Sequence, residues 1–247
     1  MPTKINSNER HSAPAKLLSI CDGDETFSAT LLKPREPECA VLFAVGAGGN
    51  PERHLPLLDA IAQQGCMVVA PHFERFTSTR PSPDELTLRA RRLRLALDAA
   101  NPLELPVAGV GHSIGAAMLL ALAGGQMWMN PSLKLEIEPD LRLKKLVLMT
   151  PATGFFESPG ALDALSLTMQ VWAGSLDTIT PPEQALLIEQ GTRGRASVDL
   201  RIKDGAGHFS FMNSPPPNTQ EPLKDRDSFL ADLTKEIIEF VSFAGSR

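Results

Sequence analysis

The chain has 247 residues, of which 43% are hydrophobic and 21% charged, the balance of an ordinary globular protein with a core of useful size. Its net charge of −5 argues against a protein whose main work is gripping a phosphate backbone, so no nucleic-acid partner is expected. No apolar run approaches the length that crosses a bilayer, and Met1 to Lys16 is polar without the apolar heart of a signal peptide, so no membrane partner is expected either.

Residues 1–15 read as a flexible tail and residues 16–247 as one domain. Lys16 to Ile20 and Thr26 to Lys33 are β-like runs around Asp22-Gly23-Asp24-Glu25, a turn composition that predicts an antiparallel hairpin at a sheet edge. Ala40 to Val45 is continuously apolar, as in a strand covered on both faces, and runs into Gly46-Ala47-Gly48-Gly49-Asn50. A helical stripe from His54 to Gln64 and a second apolar run, Cys66 to Ala70, complete a βαβ unit.

Ser82-Pro83-Asp84-Glu85 carries a capping-box pattern and opens a helix to about Ala100. That helix holds the one basic cluster, Arg89, Arg91, Arg92 and Arg94, expected on its solvated face beside an apolar face of leucines. Leu105 to Val110 is the next buried strand, followed by a helix over Ala116 to Ala123. Gln126 to Lys144 is polar and irregular, and is read as an insertion or short hairpin near the bottom of the sheet. Further strands are expected at Lys145 to Thr150, Leu165 to Trp172 and Ser197 to Ile202, with helices over Glu183 to Gln190 and Asp225 to Phe243. Strands alternating with helices predict an α/β fold with a mostly parallel central sheet and helices on both faces.

Cys21, Cys39 and Cys66 have neither C-x-x-C spacing nor a neighbouring ligand pattern. They read as reduced structural thiols, which with the missing signal segment predicts a cytoplasmic protein.

The chemistry concentrates where the period changes from 2 to 3.6. Gly111-His112-Ser113-Ile114-Gly115 matches G-x-S-x-G between a strand and a helix, the setting in which a strained turn lifts a serine hydroxyl clear of the sheet. The bland alternative is a helix N-cap at Ser113. A serine nucleophile needs a base and a carboxylate to orient it. His208 is the best base, in the Gly205-Ala206-Gly207-His208 loop at a strand's end, and Asp177 follows the preceding strand. Asp204 is the second candidate for the acid, and an Asx turn before Pro181-Pro182 is the structural alternative for Asp177. His112 should point away from the nucleophile, whereas His54 and His72 could reach the site. The backbone N–H groups of Ile114 and Ala47 are placed to form an oxyanion hole. The glycine loop lacks the G-x-G-x-x-G spacing of a dinucleotide site, and neither metal nor organic cofactor is implied.

The order Ser113, Asp177, His208, the G-H-S-I-G elbow and the V-G-A-G-G-N loop together resemble the α/β-hydrolase superfamily from about Lys16 to Phe243. The segment G-A-G-H-F-S-F, a proline loop and D-R-D-S-F resemble dienelactone-hydrolase-like and platelet-activating-factor-acetylhydrolase-like esterases. Two positions depart from that pattern: dienelactone hydrolases carry cysteine where this chain has Ser113, and many relatives carry histidine where it has Val45. The resemblance implies a serine hydrolase of a small-molecule carboxylic ester, with little or no cap domain. A thioesterase, amidase or peptidase on the same residues, or a silent fold used for binding, are the alternatives. The site is expected to be open, with Phe155, Phe156, Trp172, Phe209, Phe211 and Met212 as candidate lining.

Overall fold

A computed structural model describes residues 14–78, 80–101 and 104–243. The expected tail therefore lies, but for its last two residues, outside the described residues. Among the described residues, ten strands and five α-helices follow in chain order. They are β1 (Lys16–Asp22), β2 (Glu25–Leu32), β3 (Cys39–Ala44), α1 (Leu55–Gln63), β4 (Cys66–Pro71), α2 (Pro83–Ala100), β5 (Val107–His112) and α3 (Ile114–Leu122). The rest are β6 (Trp128–Asn130), β7 (Leu133–Lys134), β8 (Leu143–Met149), β9 (Thr168–Gly174), α4 (Pro182–Gly191), β10 (Val198–Lys203) and α5 (Arg226–Val241).

Eight strands form one sheet in the order β1-β2-β4-β3-β5-β8-β9-β10. The β1–β2 hairpin and the β2–β4 pair are antiparallel, and every pair from β4 to β10 is parallel. The central strands are apolar on both faces because both faces are covered. In β3, Ala40, Leu42 and Ala44 join one core while Cys39, Val41 and Phe43 join the other, the period of two dividing them. Helices α2, α3 and α4 pack into the first core, α1 and α5 into the second.

Local signals explain the helix limits. Ser82 accepts from the Glu85 N–H at 3.2 Å while the Glu85 carboxylate accepts from the Ser82 N–H at 2.7 Å, closing the capping box that starts α2. Residues 126–142 hold the short β6–β7 hairpin, pinned by Leu135 N–H to Met127 O at 2.8 Å and Asp140 N–H to Leu122 O at 2.7 Å, and the last two residues of the irregular segment, 143 and 144, already belong to β8. Strand β5 begins at Val107, two residues later than its apolar run, because Leu105 N–H and C=O are taken by the Asn101 side chain at 3.1 and 3.0 Å.

Two expectations are corrected here. Cys39 and Cys66 are joined in a disulfide and only Cys21 is free. Each opens one of two adjacent parallel strands, and the β3–β4 register sets them opposite each other with Cα atoms 4.6 Å apart. Sequence spacing hides this, although two strands of one βαβ unit that both begin with cysteine are its signature. With that pair oxidised, the cysteines no longer argue for a reducing compartment. No helix among the described residues is long and apolar enough to cross a membrane.

The basic cluster is also not a free, solvated face. Arg91 and Arg92 pair with Asp22 of the hairpin at 2.7 and 2.8 Å, and Arg94 with Glu138 at 2.7 Å. Arg89 is only 3% exposed. It lies three residues after Leu86 and four before Leu93, both buried, so it belongs to the inward stripe of α2.

Candidate active site

Ser113, Asp177, His208 and the glycine loop lie at the C-terminal ends of β5, β9, β10 and β3, where a parallel sheet leaves a crevice between its loops. Ser113 sits between β5 and α3 with φ 58° and ψ −125°, a left-handed conformation that costs a non-glycine residue on the order of 1–3 kcal/mol. Packing holds it there. Its N–H donates to Met149 O at 2.9 Å, and the flanking glycines admit the approach of strand and helix. A Cβ at Gly115 would lie 2.0 Å from the Ala44 carbonyl oxygen, and one at Gly111 2.8 Å from the Ala116 backbone. Ser113 makes no side-chain cap bond to α3, so the N-cap alternative does not describe it.

Its hydroxyl instead faces His208, whose Nε2 lies 3.0 Å from Ser113 Oγ, and His208 Nδ1 is 2.8 Å from Asp177 Oδ2. An ionised carboxylate only accepts, so Nδ1 carries the proton and the Nε2 lone pair points at the serine. Asp177 is held twice over. Its Oδ1 accepts from the N–H groups of Ile179 and Thr180, both at 2.8 Å. The Asx turn is thus real, and it aims the carboxylate rather than competing with that role. Burial would raise the Asp177 pKa, but the bonds from His208 and Thr180 outweigh it and hold the carboxyl below its ordinary value. Asp204 accepts instead from Ser175 Oγ at 3.1 Å.

Thr180 is a member of this group that the sequence reading passed over. Its Oγ1 lies 2.8 Å from Asp177 Oδ2, 3.0 Å from His208 Nδ1 and 3.1 Å from Thr150 O. The hydroxyl has one proton for the carboxylate or the carbonyl, and lone pairs for the imidazole N–H. The spacing Asp177-x-x-Thr180 was its available signal.

The other histidines fall into place behind the line. His112 turns its Nε2 to the main-chain oxygen of His208, to which it donates at 3.1 Å, and burial keeps it neutral by holding its pKa well below the ordinary value. His54 is fully buried, packed at a tilt between the Phe43 and His112 rings at 4.9 and 5.3 Å, and burial with the nearby Arg53 charge lowers its pKa to about 3. His72 is turned to Thr30 Oγ1 at 2.7 Å, on the hairpin side. Of the expected lining, Phe156 is buried in the first core, Trp172 and Phe211 are buried in the second against Phe229 of α5, and Met212 is buried as well. Phe155 and Phe209 stay half-buried, and the Phe209 ring packs edge-on to His208 at 5.1 Å.

Across Ser113 lies the glycine loop: a Cβ at Gly46 would sit 3.5 Å from Ser113 Cβ. Gly49 N–H to Gly46 O at 3.1 Å closes the loop, while Phe73 N–H to Gly49 O and Phe76 N–H to Ala47 O, at 2.9 and 3.1 Å, lace it to residues 73–76. Ile114 is the first residue of α3, where N–H groups have no partner within the helix and favour an anion. Among the described residues no group of three or more His, Cys, Asp or Glu could hold a metal ion.

The chain has the α/β-hydrolase fold. An esterase of Pyrococcus furiosus superposes with a TM-score of 0.66 at 13% identity, over 92% of this chain and 91% of that one. Thermogutta terrifontis esterase 2, phosphorylated by paraoxon, gives 0.62 at 15% identity over 94% and 95%. Dienelactone hydrolase from Anabaena variabilis gives 0.61 at 17% identity over 94% and 100%. No protein-family model and no curated protein sequence matches the chain.

Proposed function

We propose that this protein is a serine hydrolase that cleaves a small carboxylic ester through an acyl-enzyme. The observation that carries this reading is the buried line Ser113 Oγ, His208 Nε2, His208 Nδ1, Asp177 Oδ2, at 3.0 and 2.8 Å, starting from a serine with φ 58°. The esterases and the dienelactone hydrolase of the same fold support it by analogy alone.

Ser113 Oγ bonds to the ester carbonyl carbon while His208 Nε2 takes its proton, and Asp177 stabilises the imidazolium without becoming protonated. The electron pair moves to the carbonyl oxygen, where the N–H groups of Ala47 and Ile114 receive it. Collapse breaks the bond to the alkoxy oxygen, and His208 returns the proton to the departing alcohol. Water, deprotonated by His208, then attacks the acyl-serine, releasing the acid and restoring Ser113. No step calls for a metal or cofactor. The smaller dienelactone-hydrolase-like assignment and preference for oxygen esters over thioesters or amides belong to this proposal.

A fluorophosphonate probe tests it directly. Mass spectrometry is expected to find one adduct on Ser113 of the folded protein, lost in Ser113→Ala along with p-nitrophenyl ester turnover. An adduct at another residue, or none, removes the assignment.

A further inference from the structure

We propose that Arg89 is a positioning residue for the oxyanion hole, its guanidinium holding the glycine loop from behind so that the Ala47 N–H faces the reacting carbonyl. The inference rests on the hydrolase reading above and adds to it the device that sets one of its two donors.

Arg89 reaches out of α2 to four main-chain carbonyls. Its Nη1 lies 3.0 Å from Gly46 O and 3.5 Å from Val45 O, its Nη2 2.9 Å from Glu74 O and 3.5 Å from Ala47 O. The Phe76 and Phe73 rings cover it, with centroids 3.8 and 4.8 Å from the guanidinium carbon. A peptide group is planar, and no described peptide bond is cis, so N–H and C=O of one peptide point in opposite directions. The Gly46 carbonyl turned to Arg89 therefore turns the Ala47 N–H away from it. A Cβ added at Gly46 would lie 3.5 Å from Ser113 Cβ, so this peptide stands beside the nucleophile.

The arrangement is costly in the way that functional sites are. Burying a charge disfavours it by several kcal/mol unless it is well bonded, and the four partners here are neutral carbonyls. Glu85, the acid that favours the charge, is occupied in the capping box with Ser82. Burial lowers the Arg89 pKa to about 10, so the group stays cationic at neutral pH. A cation on the oxygen side of a peptide polarises that peptide and strengthens its N–H as a donor. Gly49 completes the fit: at φ 76° a Cβ there would lie 1.9 Å from Phe73 O, so only glycine lets the two strapped loops close.

Lysine keeps the charge but not the planar fork, so Arg89→Lys is the informative variant, with Arg89→Gln beside it. Turnover of p-nitrophenyl acetate is expected to fall about 10- to 100-fold in kcat with KM within about threefold, since the lost contact acts in the transition state. Inhibition by phenylboronic acid, which forms a tetrahedral anion on serine, should weaken by the same factor. A retained kcat, or a raised KM with unchanged boronate inhibition, overturns the role. If both variants unfold, the wild-type protein decides: the Ala47 amide proton must shift downfield when phenylboronic acid binds, and an unmoved Ala47 beside a shifted Ile114 overturns it. Wild type that is neither labelled at Ser113 nor active removes the hydrolase reading and this role with it. Active, labelled wild type with an unimpaired Arg89→Lys removes this role alone.

Discussion

The two walls of the crevice around Ser113 are held by opposite charges. On one side a buried carboxylate, Asp177, collects N–H and O–H donors and fixes His208. On the other a buried guanidinium, Arg89, collects carbonyl acceptors and fixes the glycine loop. An anion gathers N–H groups and leaves carbonyls outward; a cation gathers carbonyls and leaves N–H groups outward. The first suits a wall that must present a base, the second a wall that must present donors. The walls also differ in tolerance, because the carboxylate belongs to the proposed chemistry and the guanidinium acts one peptide away from it.

The largest effect is expected on the carboxylate wall. Asp177→Asn keeps an acceptor oxygen but favours the wrong imidazole tautomer, and should lower kcat by three to four orders of magnitude, about 4 to 5.5 kcal/mol at the transition state. Asp204→Asn, a carboxylate beside the same strand ends that contacts Ser175 instead, should change kcat only a few-fold. Steady-state kinetics on both, with equal thermal melts, checks this. Similar losses in the two would mean that the wall works through general charge and not through His208.

That wall was also the legible one. Serine, histidine and aspartate at strand ends in the order Ser113, Asp177, His208 can be read from residue type and position, since acyl transfer needs those groups and the sheet needs those loops. The order of strands and helices was legible for the same reason, because apolar runs buried on both faces leave few other arrangements. Arg89 was not. It stands among Arg91, Arg92 and Arg94, and only the spacing Leu86-Arg89-Leu93 distinguishes a cation on the inward stripe from three on the flank. The disulfide escaped because the spacing of the cysteines does not give the register between β3 and β4, and only their shared place at the start of the two strands of one βαβ unit signals it.

The disulfide offers the next largest effect and sharpens the contrast. It ties the first residues of β3 and β4, at the end of the sheet away from Ser113. Closing a loop across a sequence separation of 27 stabilises by about 3.5 kcal/mol in the chain-entropy view. A Cys39→Ser, Cys66→Ser double variant should lose that much in urea titration while keeping kcat/KM within about twofold. A loss of turnover as large as that of Arg89→Lys would mean that the cation-held wall is set by its strands and not by the local clamp.

The smallest effect lies behind both walls, at His54. Neither ring nitrogen of this residue has a hydrogen-bond partner, and no part of it is exposed. Its pKa falls from 6.5 to about 3, first through burial and then through the charge of Arg53. The folded state therefore binds fewer protons than the unfolded state between those values, and stability rises with pH across that window. What His54 contributes is fully present above pH 6.5 and is lost as pH falls below it. At pH 5 the loss from this residue is about 2 kcal/mol, since the unfolded imidazole is 1.5 pH units past its midpoint and the folded one is still neutral. Burial depresses His112 in the same direction, so the whole protein should lose more than His54 alone explains. His54→Leu isolates the share: urea midpoints at pH 7.5 and pH 5 should show the variant losing about 2 kcal/mol less than the parent on acidification. Equal losses would move the acid sensitivity to His112 and the carboxylate wall, leaving His54 as neutral packing between Phe43 and the elbow.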